Sequence, residues 1–272
     1  MNFIIYYKLS IFFIILTEDV FNYSTCGFPG FGNRIVGGQE TGANEFPMMA
    51  GVVYADQVEI RCGGTIIDKR YVVTAAHCVV SQPVSNLIVV VGEHDPSTGA
   101  TKGYNVERRT IHTQYSSSNQ DYDIAILRVH QDMEFSDRVG PACLPFKFTN
   151  TDLTGRTFTL LGWGSETIGG PKSQTLRKVD VGVISQSSCQ QRVSALTPRQ
   201  ICTYTTGKDA CQDDSGGPAL LTDPATNLLF LCGIISFGRS CAEPNEPGVH
   251  TRVTALLDWI RTNTPDANYC TK

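Results

Sequence analysis

The stretch Asp213-Asp214-Ser215-Gly216-Gly217-Pro218 places one serine hydroxyl between two carboxylates and two glycines. Two other stretches also put a reactive side chain among small residues: Thr74-Ala75-Ala76-His77-Cys78 and Asp121-Tyr122-Asp123-Ile124-Ala125. A serine hydroxyl is a weak nucleophile at neutral pH, so it needs an adjacent base, and that base needs a carboxylate to fix its tautomer. The three stretches supply these groups in the chain order histidine, aspartate, serine.

The apolar runs of the central chain have the length of strands rather than helices. They are rich in Val, Ile and Leu and lie at residues 71–73, 87–91, 124–129, 158–161, 179–184 and 228–235. Only the end of the chain has clear helical spacing, with apolar residues at Val253, Leu256, Leu257 and Ile260. The pattern predicts an all-β fold with a C-terminal α-helix, and it does not distinguish barrels from a sandwich.

Composition indicates the cellular compartment of the protein and excludes some classes of binding partner. The 272 residues include 22 basic and 26 acidic side chains, a net charge of −4, which gives no reason to expect nucleic acid or an anionic membrane as partner. Ten cysteines without a C-x-x-C pair indicate a disulfide framework in an oxidising compartment rather than a metal site. The apolar run at residues 3–16 predicts a signal peptide, with a buried strand as the alternative. We therefore expect a secreted monomer that needs no cofactor or metal.

Several short motifs, in a fixed order, resemble the trypsin/chymotrypsin-type serine proteases. The resemblance extends from about Cys26 to about Arg261. Its motifs are Arg34-Ile35-Val36-Gly37-Gly38, Cys62-Gly63-Gly64-Thr65, the stretches around His77, Asp123 and Ser215, Gly162-Trp163-Gly164, Ser236-Phe237-Gly238 and Pro247-Gly248-Val249. The resemblance implies two six-stranded antiparallel β-barrels and an endopeptidase that cleaves proteins or peptides through an acyl-enzyme.

The same resemblance assigns the catalytic roles. It makes His77 the general base, Asp123 the residue that orients it and Ser215 the nucleophile. The backbone amides of Asp213 and Ser215 would form the oxyanion hole. His77 and Asp123 would come from the first barrel and Ser215 from the second, with the site in the cleft between them.

Asp209 occupies the position that lines the floor of the primary specificity pocket in this family. A carboxylate buried there selects substrates that bring a guanidinium or an ammonium group, which implies cleavage after Arg or Lys. A solvated turn residue is the alternative interpretation of Asp209. The resemblance assigns the pocket walls to Ala210, Ser236, Phe237, Gly238 and Gly248.

Arg34, followed by Ile35, resembles the activation site of the family. Cleavage there would free the ammonium of Ile35, which in this family pairs with the carboxylate before the nucleophile, here Asp214. The implied organisation is a signal peptide at 1–20, a short propeptide at 21–34 and a protease domain at 35–272. The encoded chain would be a zymogen, and its partners would include an activating trypsin-like protease and protein inhibitors.

The cysteine pairing is also implied by the resemblance. The expected bridges are Cys26–Cys143, Cys62–Cys78, Cys189–Cys202 and Cys211–Cys241, and the first would keep the propeptide attached after cleavage. Cys232 and Cys270 are paired by exclusion only. A further bridge that is common in the family is missing, since Phe158 and Leu221 occupy its two positions.

Asp213 departs from the family pattern, which has glycine two residues before the nucleophile. Loss of one oxyanion donor typically costs about 10²–10³ in turnover, so this residue bears on activity. A non-glycine here resembles the insect venom-type serine proteases. The alternative to an enzyme is a catalytically weak or inactive homologue that binds a partner. The retained His77, Asp123 and Ser215 favour the enzyme, and a purely structural protein would explain the disulfides but none of the motifs.

Overall fold

A computed structural model describes residues 26–30, 39–57, 59–98, 102–165, 170–207, 214–238 and 246–269. Within these ranges the α-helices are α1 (Ala76–Val79), α2 (Gln186–Gln190) and α3 (Leu257–Asn263). The strands are β1 (Gln39–Glu40), β2 (Met49–Tyr54), β3 (Ile60–Asp68), β4 (Tyr71–Thr74), β5 (Leu87–Val91), β6 (Lys102–Ile111), β7 (Ala125–Val129), β8 (Thr157–Gly162), β9 (Arg177–Ile184), β10 (Gln200–Thr203), β11 (Pro218–Thr222), β12 (Leu229–Phe237) and β13 (Gly248–Arg252).

The first barrel is closed by six antiparallel strands in the order β2-β3-β4-β7-β6-β5. Its largest fully buried side chains include Tyr71, Tyr104, Ile66, Ile126 and Leu127. These β-branched, aliphatic and aromatic residues pack well on a pleated surface. The short runs of such residues in the sequence are therefore the walls of this barrel.

The second barrel closes in the order β8-β9-β10-β13-β12-β11, with β11 pairing back to β8. Strand β1 adds to its outside by pairing with β9. Phe158 and Leu221 are both buried in its core, so apolar side chains fill the place where the family has a bridge. The prediction of two six-stranded barrels is confirmed.

Each predicted apolar run matches a strand, but the runs account for fewer than half of the described strands. The six runs correspond, within two residues, to β4, β5, β7, β8, β9 and β12, and the other seven described strands were not predicted individually. Among these, β6 lacks an apolar run because most of its side chains are exposed or half-buried. The C-terminal helical spacing spans two elements, a 3₁₀ turn at Val253–Ala255 and then α3. No helix in the described part of the chain is long and apolar enough to cross a membrane.

Three of the expected disulfides are present, namely Cys26–Cys143, Cys62–Cys78 and Cys189–Cys202. The expected Cys232–Cys270 bridge is wrong, since Cys232 is a buried free thiol. Cys232 lies in the core of the second barrel, where burial raises the pKa of its thiol. Tyr269, next to Cys270 in the chain, packs instead against the core cluster that contains the first barrel. Cys211, Cys241 and Cys270 lie outside the described residues.

The connection between the barrels is fixed to the second barrel by Lys147. Its Nζ lies 2.7 Å from Oδ2 of Asp223, in the turn between β11 and β12, and 4.4 Å from the centre of the Phe230 ring. The Thr226 hydroxyl donates to the same carboxylate at 2.6 Å. The bonds from Lys147 and Thr226 hold the pKa of Asp223 at about 2, below the usual 3.8.

We expect Asp223→Asn to lower the free energy of unfolding by about 1–2 kcal/mol at neutral pH, since it removes a paired carboxylate. The depressed pKa means that the native carboxylate stabilises the fold above about pH 4 and loses this advantage as the pH falls towards 2. Urea unfolding of both proteins across this range measures the difference. Asp137→Asn, at an exposed position of the same connection, is the control. A difference that stays equal at pH 2 and pH 7 would contradict the prediction.

Candidate active site

At Ser215 the two barrels approach each other closely enough for a backbone hydrogen bond. The amide of Gly63 on β3 donates to the carbonyl oxygen of Ser215 at 2.8 Å. A Cβ on Gly63 would lie 2.6 Å from Cα of Gly217, and one on Gly216 would lie 2.3 Å from Oγ1 of Thr74. Gly216 also has a φ of +82°, a conformation that favours glycine. The glycines of the two motifs therefore let the segment with Ser215 lie directly against the first barrel.

His77 lies on α1, immediately after β4, and Asp123 holds it at two points. The backbone amide of His77 donates to Oδ1 of Asp123 at 2.9 Å, and its ring Nδ1 lies 2.8 Å from Oδ2. A carboxylate only accepts, so Nδ1 carries the proton and Nε2 is left to act as the base. Nε2 lies 3.7 Å from Sγ of Cys78, and the same sulfur lies 3.6 Å from the carbonyl oxygen of Ser215. The structure thus bonds His77 to Asp123 and places its ring close to the backbone of Ser215.

Asp123 is fully buried, and the second barrel supplies two of its hydrogen bonds. The hydroxyl of Ser236 donates to Oδ2 at 2.5 Å, and the hydroxyl of Thr251 donates to the backbone carbonyl of Asp123 at 2.7 Å. A buried carboxylate is costly without such partners. The sequence predicts Ser236 only as a residue of the pocket wall, and it does not predict a role for Thr251. No local signal marks either contact, since the partners are more than 100 residues apart.

Asp214 explains the Gly162-Trp163-Gly164 motif. Its Oδ1 accepts a hydrogen bond from the amide of Gly164 at 2.8 Å. A Cβ added to Gly162 would lie only 1.9 Å from the same oxygen. The indole of Trp163 donates to the carbonyl of His94 at 3.2 Å, which fixes this turn to the first barrel. The motif is therefore a cradle for the carboxylate beside the nucleophile.

The described residues of the predicted specificity pocket lie where β12 ends and β13 begins. Ser236 and Gly248 are buried, and Phe237 pairs with Val249. His250 follows on β13, with its ring Nε2 2.8 Å from the hydroxyl of Thr203. Burial lowers the pKa of His250 to about 4, so its ring is neutral at pH 7. The predicted residues Arg34, Ile35, Asp209, Ala210 and Asp213 lie outside the described residues.

Comparison with known proteins gives the same family over most of the chain. A family model described as "Trypsin" matches residues 35–260. "Venom serine protease" of Polistes dominula is 43% identical over 247 residues, which cover 88% of this chain and 88% of that protein. "Venom serine protease 34" of Apis mellifera is 43% identical over 246 residues, 88% of this chain but 60% of that protein. "Proclotting enzyme" of Tachypleus tridentatus is 38% identical over 246 residues, 84% of this chain and 65% of that protein.

We expect Gly162→Ala to reduce turnover of a small ester substrate by at least about tenfold, because the new methyl group displaces the Asp214 carboxylate and with it the Ser215 turn. Gly182→Ala on β9 is the matched control. There an added Cβ meets nothing closer than 3.4 Å, so turnover stays near that of the native chain. Equal activity of the two variants would show that the Asp214 cradle does not support the site.

Proposed function

The chain belongs to the trypsin family of serine proteases, and from that premise we propose that it is a secreted endopeptidase, made as a zymogen, that cleaves after Arg or Lys. One observation carries the proposal. Oδ2 of the buried Asp123 holds Nδ1 of His77 at 2.8 Å beside the backbone of Ser215. A protein that only bound a partner would not need this arrangement.

In the proposed reaction Ser215 attacks the carbonyl carbon of the scissile peptide bond. His77 Nε2 accepts the hydroxyl proton, while Asp123 keeps the ring oriented and stabilises the imidazolium. The backbone amides of Ser215 and Asp213 stabilise the negative oxygen of the tetrahedral intermediate. The proton then passes to the leaving amine, and an acyl-enzyme remains. Water, activated by the same histidine, releases the second product.

The proposed specificity rests on Asp209 as the floor of the pocket. Support comes from the described wall, where Gly248 carries no side chain to obstruct the entry of a long substrate residue. His250, neutral at pH 7 and bonded to Thr203, supplies no positive charge that would compete for the carboxylate. A buried carboxylate left without a cation is penalised, so apolar substrate residues are rejected.

The proposed activation depends on cleavage after Arg34 and on the carboxylate of Asp214. Cleavage after Arg34 makes Ile35 the new amino terminus, four residues before β1, which is tied to β9. The ammonium then pairs with Asp214 in its cradle and orders the adjoining oxyanion loop. The Cys26–Cys143 bridge would keep residues 21–34 attached, and the three disulfides support an extracellular location.

The alternative function, a weak or inactive homologue, rests on Asp213 alone. Asp tolerates a left-handed backbone better than most residues, so its amide can still donate to the oxyanion. The complete hydrogen bonding of Asp123 to His77 and Ser236 favours the enzyme.

We expect the uncut chain to be nearly inert and Arg34→Gln to remain so after treatment with trypsin. Cleavage of the native chain should raise hydrolysis of a small Arg amide by about 10²-fold or more, since the loss of one oxyanion donor already costs that much. Amino-terminal sequencing of the active form should begin at Ile35. Full activity before cleavage would contradict the zymogen, and no activity after verified cleavage would favour the inactive homologue.

We expect Asp209→Ser to lower kcat/KM for Arg substrates by about 10²-fold or more, while Phe substrates gain relative to them, because the substrate cation loses its buried partner. Asp258→Ser on α3, whose side chain is fully exposed, is the control. If the native protease cuts after Phe as readily as after Arg, the assignment of the pocket floor is wrong.

A further inference from the structure

A second buried carboxylate, that of Asp121, lies two residues before Asp123 in the chain. Asp121 is 8% exposed, and its Oδ1 accepts from the hydroxyl of Thr197 at 2.8 Å and from Nε of Arg199 at 3.2 Å. Its Oδ2 forms an ion pair with Nη2 of Arg199. Both partners lie in the segment between α2 and β10 of the second barrel. The pair therefore ties the loop that bears Asp123 to the opposite barrel.

The charge of Asp121 is retained in this position. Burial raises the pKa of its carboxyl, but the hydrogen bonds from Arg199 and Thr197 outweigh that effect and leave the pKa lowered. The guanidinium accordingly has a raised pKa, first because of its hydrogen bond to Asp121. Asp121 and Arg199 therefore both keep their charges at neutral pH. The catalytic His77, in contrast, must gain and lose a proton.

Tyr122, between Asp121 and Asp123, makes close ring contacts on the same loop. The ring of Tyr122 stacks on His112 with centroids 4.2 Å apart and an interplanar angle of 18°. The guanidinium carbon of Arg199 lies 4.7 Å from the centre of the Tyr122 ring. Arg199 thus binds the loop twice, through the carboxylate of Asp121 and through the neighbouring aromatic ring.

The loop needs such support because its backbone is strained. Gln120 and Tyr122 have φ values of +53° and +52°, a conformation that side-chain-bearing residues rarely adopt. Strained backbone of this kind persists only where the surroundings over-determine it. Besides Arg199, the side-chain Nε2 of Gln200 donates to the backbone carbonyl oxygens of Asn119 at 2.9 Å and Gln120 at 3.3 Å.

We propose that Arg199 and Asp121 are positioning residues of this protease. Their ion pair holds the strained loop in the conformation that keeps Asp123 bonded to His77, and it binds that loop to the barrel that carries Ser215. Neither residue touches the reacting atoms; both act through Asp123. The inference rests on the proposed function, since it concerns the efficiency of that same triad.

The test compares Arg199→Ala and Asp121→Asn with the native chain, each cleaved after Arg34 and titrated for active sites. We expect kcat on a small Arg amide to fall about tenfold or more in both, with KM within about twofold, because misplaced catalytic groups slow the chemical step. Arg199→Lys should recover part of the loss, since it keeps the charge but not the paired donors. Arg192→Ala is the matched control, because exposed Arg192 lies near Tyr204 and not near the loop.

The pH profile separates positioning from a simple charge effect. If Asp123 moves away from His77, the imidazolium loses its negative partner and the pKa of His77 falls. The acid limb of the pH profile of kcat/KM then moves to lower pH in both variants. Charge alone would raise the pKa of His77 on loss of Arg199 and lower it on loss of Asp121. The other ionisable groups around the loop, His112, Tyr115 and Tyr122, are the same in all variants.

NMR titration of His77, assigned with His77→Ala, gives the same pKa without turnover. It therefore still tests the inference if the native chain proves inactive and the proposed function fails. A lower pKa of His77 in both variants supports the proposal. A raised pKa in Arg199→Ala, or unchanged kcat and titration in both variants, would overturn it. Should Arg199→Ala fold poorly, Arg199→Gln, which also removes the charge but keeps more of the side chain, carries the same comparison.

Discussion

The hydrogen bond from the amide of Gly63 to the carbonyl of Ser215 is the contact on which the site depends. It joins two barrels that each hold only part of the catalytic apparatus, and it forms only because neither Gly63 nor Gly216 carries a side chain. A methyl group at either position would push the barrels apart by an amount comparable to a bond length. Since a misplacement of about 1 Å can cost about 10² in rate, the glycines matter as much to catalysis as the reactive groups do.

The electrostatics of the site follow from this contact. Asp123 belongs to the first barrel but accepts from Ser236 of the second, and the adjacent Asp121 is paired with Arg199 of the second. Asp214 lies in the segment that leads into β11 of the second barrel. The turn whose Gly164 amide it accepts from is held to the first barrel by Trp163. Asp121 and Asp123 are thus each fixed by groups from more than one part of the chain, and Asp214 is bonded to a turn that is held to the first barrel.

The sequence predicts those structural features that depend on local residue patterns. Apolar runs locate six of the thirteen described strands, and the motifs locate His77, Asp123 and Ser215. The polar strand β6 was missed because its side chains face solvent for the most part. The pairing of Cys232 was wrong because elimination cannot show that this thiol lies inside a barrel core. The contacts of Thr251 with Asp123 and of Arg199 with Asp121 join distant parts of the chain, so only the folded structure places them together.

The most direct test of the assembled triad is covalent labelling of Ser215 by a fluorophosphonate, which reacts with a serine only when an adjacent base activates it. The chain cleaved after Arg34 would be treated with the reagent, with His77→Ala in parallel, and the adduct located by peptide mass spectrometry. We predict one adduct, on Ser215, formed at least about 10³-fold faster in the native chain than in His77→Ala. Equal rates in the two proteins, or an adduct on another residue, would contradict the claim that the barrels assemble a working triad.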